Sequence, residues 1–317
     1  MRQYAQHVSA DAASETPKRK PHRLRYVAAI IVVAAVIYLG VVALYASSGR
    51  VASLSDTTAP PPSGGVTVGL SADAVNPAAG RISMNLQIDA SEQLLAREGI
   101  GLAKTVHVIL SPASGAQSIT FKAGAVPSIV PIELIVDGSI ENWPFDDYRA
   151  DPLVIIAYTG DGDSRALIPV HVALHGYVPG WTLDASQRED PKTLHIDSDG
   201  PAADQSHTIS LRAWRSGSTI AFGIVLLCLM IAMPCLVLFV AINAYRGRRK
   251  MEPTLMSWMA AMLFATIPLR TFLPGSPPIG SWIDYLIVLW VFAGLVAGLV
   301  IYVFAWWRWG ARGDRSP

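Results

Sequence analysis

The chain has 317 residues, of which 51% are hydrophobic and only 15% are charged. Soluble domains carry about 25% charged residues, so the composition argues against a single soluble domain and for membrane-embedded segments. The net charge of +1 conceals an asymmetry, since residues 47–215 carry 19 acidic and 11 basic side chains while the rest carry 5 and 14. The basic residues flank apolar runs, so they indicate membrane topology, and we expect no nucleic-acid partner.

The N-terminal region predicts a membrane anchor. Residues 1–25 are polar and end in KRKPHRLR, which is typical of a disordered cytoplasmic tail. Residues 26–46 are uninterruptedly apolar and match the about 20 residues that cross a bilayer. A secretory signal has an apolar region of only about 7–15 residues, so we expect an uncleaved signal-anchor as transmembrane helix 1, with cleavage near Ala46 as the alternative. Residues 47–65, rich in Ser, Pro and Gly, predict a linker.

Residues 66–215 change to short alternating runs separated by Gly, Pro and Asn. The clearest run is RISMNLQIDA (81–90), in which every second residue from Ile82 to Ile88 is apolar. Regular strands with such turn signals predict an all-β, sandwich-like domain. A segment of this length can form its own hydrophobic core.

Three more apolar segments predict transmembrane helices 2, 3 and 4, over residues 218–244, 254–273 and 282–307. Basic clusters lie before the first predicted helix, between the second and third, and in a tail over residues 308–317. Basic clusters favour the cytoplasmic side. We therefore expect a multi-pass plasma-membrane protein with both termini cytoplasmic. It would have one N-terminal transmembrane helix, an extracytoplasmic all-β sandwich-like domain and three C-terminal transmembrane helices.

Arg270 and Asp284 are the two charged residues between Thr254 and Trp307. Charges in or beside hydrocarbon are costly and usually have a reason. Arg270 lies about 24 Å along an untilted helix from Thr254, which brings its side chain to the outer interface, where Asp284 opens the next helix. We expect the two to form an ion pair, and the alternative is two unrelated, solvated interface residues.

The fourth apolar segment contains GLVAG, with glycines at Gly294 and Gly298. Glycines four residues apart allow two helices to approach closely. We expect them to pack inside the helix bundle of one chain, and a homo-oligomer is the alternative.

The most distinctive soluble motif is NWPFDDY. Its candidate structural or interaction residues are Trp143, Pro144, Phe145, Asp146 and Tyr148. The aromatic residues predict core anchors, the proline fixes a turn, and the two aspartates are predicted to accept hydrogen bonds from turn amides. We interpret the motif as a structural corner that leads into a strand, with a ligand site as the alternative.

This motif, together with the block SWMAAMLFATIPLRTFLPGSPPIG and the IDY that follows it, resembles a known family. The sequence is similar to the actinobacterial membrane proteins of the domain of unknown function 4436 family, over most of the chain from Val66 onward. The resemblance implies one membrane span before the β domain and three after it. The family has no assigned activity, so the resemblance implies no catalytic residue and no mechanism.

Two patterns are superficially similar to metal sites. His171 and His175 are four residues apart, but the alternation around them predicts a strand, on which they lie about 13 Å apart and cannot share a zinc ion. The turns DGDS (161–164) and DSDG (197–200) lack the further ligands of a calcium loop. Nucleotide-binding and hydrolase motifs are missing from the sequence. We therefore expect no metal, no cofactor and no catalytic residue.

These observations favour a non-enzymatic integral membrane protein of the binding, scaffold or accessory type. Its helices would contact the lipid bilayer, and its β domain would contact an envelope protein or lipid partner. The alternative is a ligand-responsive channel or transporter component, because WPFDDY is similar to the F-P-F-D element of pentameric ligand-gated channels. Those channels place four spans after the sandwich, and residues 220–242 lack the polar stripe of a pore helix. A membrane enzyme is the third class, and the sequence offers it no activated nucleophile.

Overall fold

A computed structural model describes residues 21–47, 60–96, 100–115, 118–160, 164–187, 207–248 and 252–310. The chain divides into two compact units, Met1–Ala43 and Leu44–Pro317. Most of the predicted N-terminal tail and linker, the turn at 197–200, most of the turn at 161–164 and most of the C-terminal tail lie outside the described residues.

The first unit contains most of helix α1, Pro21–Ser47. The apolar stretch described in this helix, Ile31–Ala46, falls in the range of 10–17 residues. A crossing helix needs about 20 residues, so the prediction of transmembrane helix 1 over residues 26–46 is wrong by this measure.

The second unit opens with a β domain. Its strands, in chain order, are β1 Val66–Asn76, β2 Arg81–Ala90, β3 Val106–Ser111, β4 Ala113–Ser114, β5 Ser118–Phe121, β6 Val130–Ile135, β7 Asp137–Gly138, β8 Asp147–Thr159, β9 Ala166–Ile168, β10 Val170–Gly176, β11 Trp181–Gln187 and β12 His207–Arg215. One sheet has the order β10-β1-β2-β6-β4, with β1 and β10 parallel. The other has the order β11-β12-β8-β3-β5, and β7 and β9 also pair with β8.

The two sheets enclose one hydrophobic core, so this part of the chain is sandwich-like, as the alternating pattern predicts. In β2 the buried residues are Ile82, Met84, Leu86 and Ile88. They meet residues such as Leu110 and Ile155 of the other sheet in a single buried cluster. Side chains of a strand alternate between two faces, which is why one strand contributes every second residue to this core.

Three helices follow the β domain. They are α2 Gly217–Tyr245, α3 Pro253–Thr271 and α4 Leu289–Gly310, and α4 is preceded by a π-helical turn, Asp284–Val288. Pro234 of α2 lies opposite Gly294 of α4, and Val237 lies opposite Gly298. Both numbers increase together, so α2 and α4 run parallel, and α3 returns the chain from the end of one to the start of the other.

Within the described residues, two helices are long and apolar enough to cross a membrane, Gly217–Tyr245 and Asp284–Arg308. In each of these helices, only 28% of the most apolar stretch is buried inside the structure, whereas a core helix of a soluble protein is mostly buried. The prediction of four transmembrane helices, three of them C-terminal, is therefore wrong. Helix α3 does not qualify because its 19 residues include two prolines, Arg270 and several hydroxyl side chains, which lower its mean hydropathy.

Candidate functional site

The motif WPFDDY lies where the β domain meets the C-terminal helices. A 3-10 turn, Ile140–Asn142, precedes it, and the turn continues through a hydrogen bond from the Phe145 amide to the Asn142 carbonyl (3.0 Å). Strand β8 then begins at Asp147. Pro144 follows Trp143 through a cis peptide bond. The motif therefore occupies a tight corner before a strand.

Trp143 links the two parts of the second unit. Its side chain is only 2% exposed and belongs to the hydrophobic cluster of the helices, not to the core of the β domain. Its indole Nε1 donates to the carbonyl oxygen of Pro274 in the α3–α4 loop (2.8 Å). A buried indole N–H needs an acceptor, and the loop supplies it.

A buried ion pair lies beside this tryptophan. Arg215, the last residue of β12, donates from Nε to Asp146 Oδ1 (2.6 Å) and from Nη2 to Asp146 Oδ2 (2.9 Å). The two side chains are 2% and 0% exposed. Arg215 Nη1 also donates to the Pro274 carbonyl (3.3 Å). The planar fork of a guanidinium matches a carboxylate, which offsets part of the cost of burying both charges.

Two aromatic side chains complete the surroundings of this ion pair. Tyr148 donates its hydroxyl to Asp146 Oδ2 (3.0 Å) and meets Trp181 edge to face at 5.6 Å. The guanidinium carbon of Arg215 lies 4.8 Å from the centre of the Trp181 ring, a cation–π contact. Burial, followed by the charge of Asp146 and the hydrogen bond to it, raises the pKa of Tyr148 well above its ordinary value. Tyr148 therefore remains a neutral donor. We call the group Trp143, Asp146, Tyr148, Trp181, Arg215 and Pro274 the junction.

The structure corrects two details of the predicted corner. Phe145 is 73% exposed and is not a core anchor, because the turn directs its neighbours Trp143 and Asp146 inward. The aspartates bind arginines and not turn amides. Asp147 accepts from Arg149 Nε (3.0 Å) and Nη2 (2.7 Å). These bonds from Arg149, together with the charge of Arg212, lower the pKa of Asp147.

Phe145 borders a shallow pocket on the outside of the junction. The pocket has a volume of about 310 Å³ and is lined by both polar and apolar side chains, among them Asp147, Arg212 and Trp214. Its polar lining residues Asp147 and Arg212 are already paired with each other (3.1 Å). Asp146 and Arg215, the buried ion pair of the junction, also line this pocket, so each of its charged side chains already has a partner.

Glycine in the α3–α4 loop allows the junction to close. Gly275 has a φ of +75°, and a Cβ added there would collide with the guanidinium of Arg215. Glycine adopts positive φ without steric cost. Both the backbone conformation and the close approach of Arg215 therefore require glycine at this position.

Arg270 and Asp284 lie on opposite sides of the same loop and are in contact. Arg270 donates from Nε to Asp284 Oδ1 (3.1 Å) and from Nη2 to Asp284 Oδ2 (2.9 Å). Arg270 Nη1 also donates to the Pro277 carbonyl (2.9 Å), and the Gly280 amide donates to Asp284 Oδ2 (2.8 Å). The side chains are 15% and 17% exposed. This network closes the loop that carries Pro274 to the junction.

Gly294 and Gly298 lie against α2 of the same chain. A Cβ added at Gly294 would be 2.9 Å from Pro234 Cβ, and one added at Gly298 would be 2.6 Å from Val237 Cγ1. Contacts below 3.0 Å do not occur for real Cβ atoms. The two glycines therefore allow the parallel helices to approach closely.

The sequence alone does not identify Arg215, Trp181 and Pro274 as members of the junction. The partners Arg215 and Asp146 are 69 residues apart, and nothing in the local pattern joins them. A usable signal was present for one of them, since Arg215 is a charged residue directly before an apolar helix and next to Trp214. Such a charge requires a partner when it is buried.

The described residues contain no group of three or more His, Cys, Asp or Glu side chains that could hold a metal ion. His171 and His175 both lie on β10, beside Thr67 and Ser71 of β1. Of the two acidic turns, residues 161–163 and 197–200 lie outside the described part of the chain. The geometry at the junction is that of charge pairing and hydrogen bonding between structural elements.

Comparison with known families gives one match over most of the β domain and a second over the C-terminal helices. Residues 56–203 match the model of Domain of unknown function (DUF4436), and residues 215–309 match that of Domain of unknown function (DUF8686). No curated protein matches the sequence. The first match confirms the resemblance inferred from WPFDDY, but it ends before the helices, so the C-terminal block belongs to the range of a second family model. The chain thus resembles the DUF4436 family in its β domain and the DUF8686 family in its C-terminal helices.

Proposed function

We propose that this chain is a non-enzymatic membrane protein whose β domain binds an envelope protein and is held in a fixed position by the C-terminal helices. The observation that carries the proposal is the junction. Asp146, Arg215 and Tyr148 satisfy one another in a buried site, and Trp143 and Arg215 both bind the Pro274 carbonyl. These contacts fix the position of the β domain relative to the helices. An accessory or scaffold protein requires such a fixed position to present its binding surface.

The helices support a place in the bilayer with the β domain on the outer side. Helices Gly217–Tyr245 and Asp284–Arg308 are long enough and apolar enough to cross a membrane. The β domain joins α2 at its N-terminal end, whereas Arg246 and Arg248 follow its C-terminal end and Arg308 lies near the end of α4. Basic residues favour the cytoplasmic side, which directs the β domain away from the cytoplasm.

The end of the sandwich opposite the junction supplies a surface for the partner. Strand β8 leaves the junction at Asp147 and ends at Thr159, which pairs with Val106 of β3. Beyond this end, the Leu102 amide donates to the Ala125 carbonyl (3.2 Å), which joins two loops. Ile100 and Val126 lie on these loops, 70% and 63% exposed. We take these two apolar side chains on neighbouring loops as the surface that meets the partner.

Site-specific photocrosslinking tests the partner surface. A photoreactive phenylalanine at Val126, in the full chain and in intact cells, should give one adduct of defined mass that detergent copurification and mass spectrometry identify. The same group at Asp184, an exposed position on β11, is the matched control. Adducts of equal yield at both positions, or none at Val126, would contradict the proposed surface.

Cysteine accessibility tests the orientation. In a chain with Cys228 and Cys235 replaced by alanine, Ile279→Cys should react with a membrane-impermeant thiol reagent in intact cells, because Ile279 is 95% exposed in the loop beside the junction. Arg248→Cys, at the opposite end of α2, should react only after the cells are opened. Labelling of Arg248→Cys in sealed cells would reverse the proposed orientation.

A further inference from the structure

The far ends of α2 and α4 form a groove that the junction does not use. The groove lies between the two helices, has a volume of about 710 Å³, and is lined by Ile242, Tyr245, Ile301, Phe304, Trp307 and Arg308. Ligand sites usually measure about 300–1,000 Å³. Ile301, Phe304 and Arg308 share one face of α4 because they are three and four residues apart.

The groove changes from apolar to cationic along its length. Ile242, Ile301 and Phe304 supply hydrocarbon, and Arg308 lies at the end. The Arg308 guanidinium carbon is 5.6 Å from the centre of the Tyr245 ring, and its Nη1 donates to the Tyr245 hydroxyl (3.3 Å). These two contacts hold the guanidinium at the mouth of the groove, where its planar fork suits a phosphate.

The aromatic residues indicate the depth of this site in a membrane. Tyr245, Trp306 and Trp307 are exposed next to Arg308. Tyrosine and tryptophan collect at the headgroup level of bilayers. On the membrane position proposed above, Arg308 lies at the headgroups and the isoleucines lie among the acyl chains.

We propose that this groove binds one anionic phospholipid of the cytoplasmic leaflet, with the phosphate at Arg308 and an acyl chain against Ile242, Ile301 and Phe304. The charge favours an anionic over a zwitterionic headgroup, and Arg246 and Arg248, exposed beyond Tyr245, add to the positive field. The apolar length of the groove favours a lipid over a free phosphate ion.

The test uses the purified full chain in neutral detergent micelles that contain either phosphatidylglycerol or phosphatidylcholine with brominated acyl chains. Bromine quenches tryptophan fluorescence on contact. Phosphatidylglycerol should quench the fluorescence of Trp307 at an about tenfold lower lipid fraction than phosphatidylcholine. The part of the quenching that is lost in Trp307→Phe is the part that belongs to Trp307. Arg308→Gln should remove this preference, because phosphatidylcholine balances its phosphate with its own choline cation, so the charge of Arg308 favours the lipid with a net negative headgroup. Arg248→Gln, which changes an arginine outside the groove lining, should keep most of it.

Each other outcome is decisive. Equal quenching by both lipids would overturn the specific site while leaving α4 in the bilayer. Quenching by neither lipid would show that α4 does not contact lipid, and the proposed membrane function would fall with the site. Protection of the thermal melt by inorganic phosphate alone, to the same extent as by phosphatidylglycerol, would assign the site to a free anion. An unchanged melt of Arg308→Gln in phosphatidylcholine would verify that this variant is folded.

Discussion

At the scale of single residues, the pair Asp146–Arg215 dominates the junction. Both side chains are almost fully buried and joined by two hydrogen bonds. Removal of Asp146 leaves the buried Arg215 charge with only the Pro274 carbonyl and the Trp181 ring beside it, and breaking a buried pair costs about 3–5 kcal/mol. We therefore expect Asp146→Ala to lower the free energy of unfolding by about this amount, measured by thermal or denaturant melts in detergent.

Arg215→Lys tests whether the two-bond geometry of the arginine, and not its charge alone, stabilises the junction. A lysine keeps the charge but cannot reproduce the fork that reaches both oxygens of Asp146 and the Pro274 carbonyl. It should therefore lose much of the stability that Asp146→Ala loses. As a control, Arg149→Lys, at a pair whose arginine side chain is 57% exposed, should change stability by less than about 1 kcal/mol. Equal small losses in both lysine variants would show that the bidentate geometry is unimportant.

Tyr148 is predicted to make the folded protein less stable at alkaline pH. Its pKa in the folded protein is raised by burial and by the negative Asp146, so the unfolded chain releases this proton first as the pH rises. The contribution to stability is complete below the ordinary tyrosine pKa of about 10 and is lost as the pH rises above it. One proton corresponds to a slope of about 1.4 kcal/mol per pH unit.

Urea melts between pH 9 and pH 11.5 measure this slope. Tyr148→Phe keeps the ring packed against Trp181 and should remove the one-proton component. Tyr158→Phe, a tyrosine on the outer face of β8, serves as the control substitution. If the wild type and Tyr148→Phe lose stability in parallel with pH, the buried hydroxyl does not cause the loss of stability at alkaline pH.

At the scale of elements, the Arg270–Asp284 pair closes the loop between α3 and α4. Arg270 binds both the Asp284 carboxylate and the Pro277 carbonyl. Residues that share such a network are not additive, with coupling energies of about 0.5–3 kcal/mol. We expect Arg270→Ala and Asp284→Ala each to lower the melting temperature, and the double variant to lose less than the sum. Strictly additive losses would show that the pair contributes nothing as a pair.

The packing of α2 against α4 depends on Gly298. A Cβ there would lie 2.6 Å from Val237 Cγ1, so Gly298→Val must push the helices apart or force other side chains from their rotamers. Such overpacking typically costs about 1–3 kcal/mol. Ala297→Val adds bulk one position earlier, on the exposed face of α4, and should be nearly neutral. Similar melting temperatures for the two variants would contradict close packing at Gly298.

The elements also show which features could be predicted from sequence. The alternation in β2 identified its buried face because a strand repeats every two residues. The spacing of Arg270 and Asp284 around a short proline-rich loop brought two charges to one end of adjacent helices. Both inferences needed only local geometry.

Other features depend on long-range pairing or on a finer measure of hydropathy. The contact of Asp146 with Arg215 follows from the register of β12 on β8, where Trp214 pairs with Asp147, and no local rule gives that register. The expectation of a crossing helix over residues 254–273 failed because an apolar stretch of sequence can contain residues that lower the mean hydropathy of the helix it forms. Pro268 and Arg270 illustrate this in α3.

At the scale of the whole molecule, the second unit has two hydrophobic clusters among its described residues. One lies between the sheets, and the other lies among the helices and includes Trp143. A domain with its own core can fold alone. We therefore expect residues 60–216 to fold as a soluble β domain, with β-type circular dichroism and a cooperative melt. The fragment must extend past residue 215, because β12 runs from His207 to Arg215 and a cut at residue 210 would divide it.

Trp143 distinguishes a β domain that folds alone from one that needs the helices for its core. In the full chain, Trp143→Ala removes a buried indole and its bond to Pro274, which should cost about 3–5 kcal/mol. In the fragment, the helices and Pro274 are absent, so the indole packs against little and the same substitution should cost far less. Leu86→Ala, in the core between the sheets, should destabilise both forms by a similar amount. If Trp143→Ala is as damaging to the fragment as to the full chain, the indole belongs to the β core, and the junction does not depend on the helices.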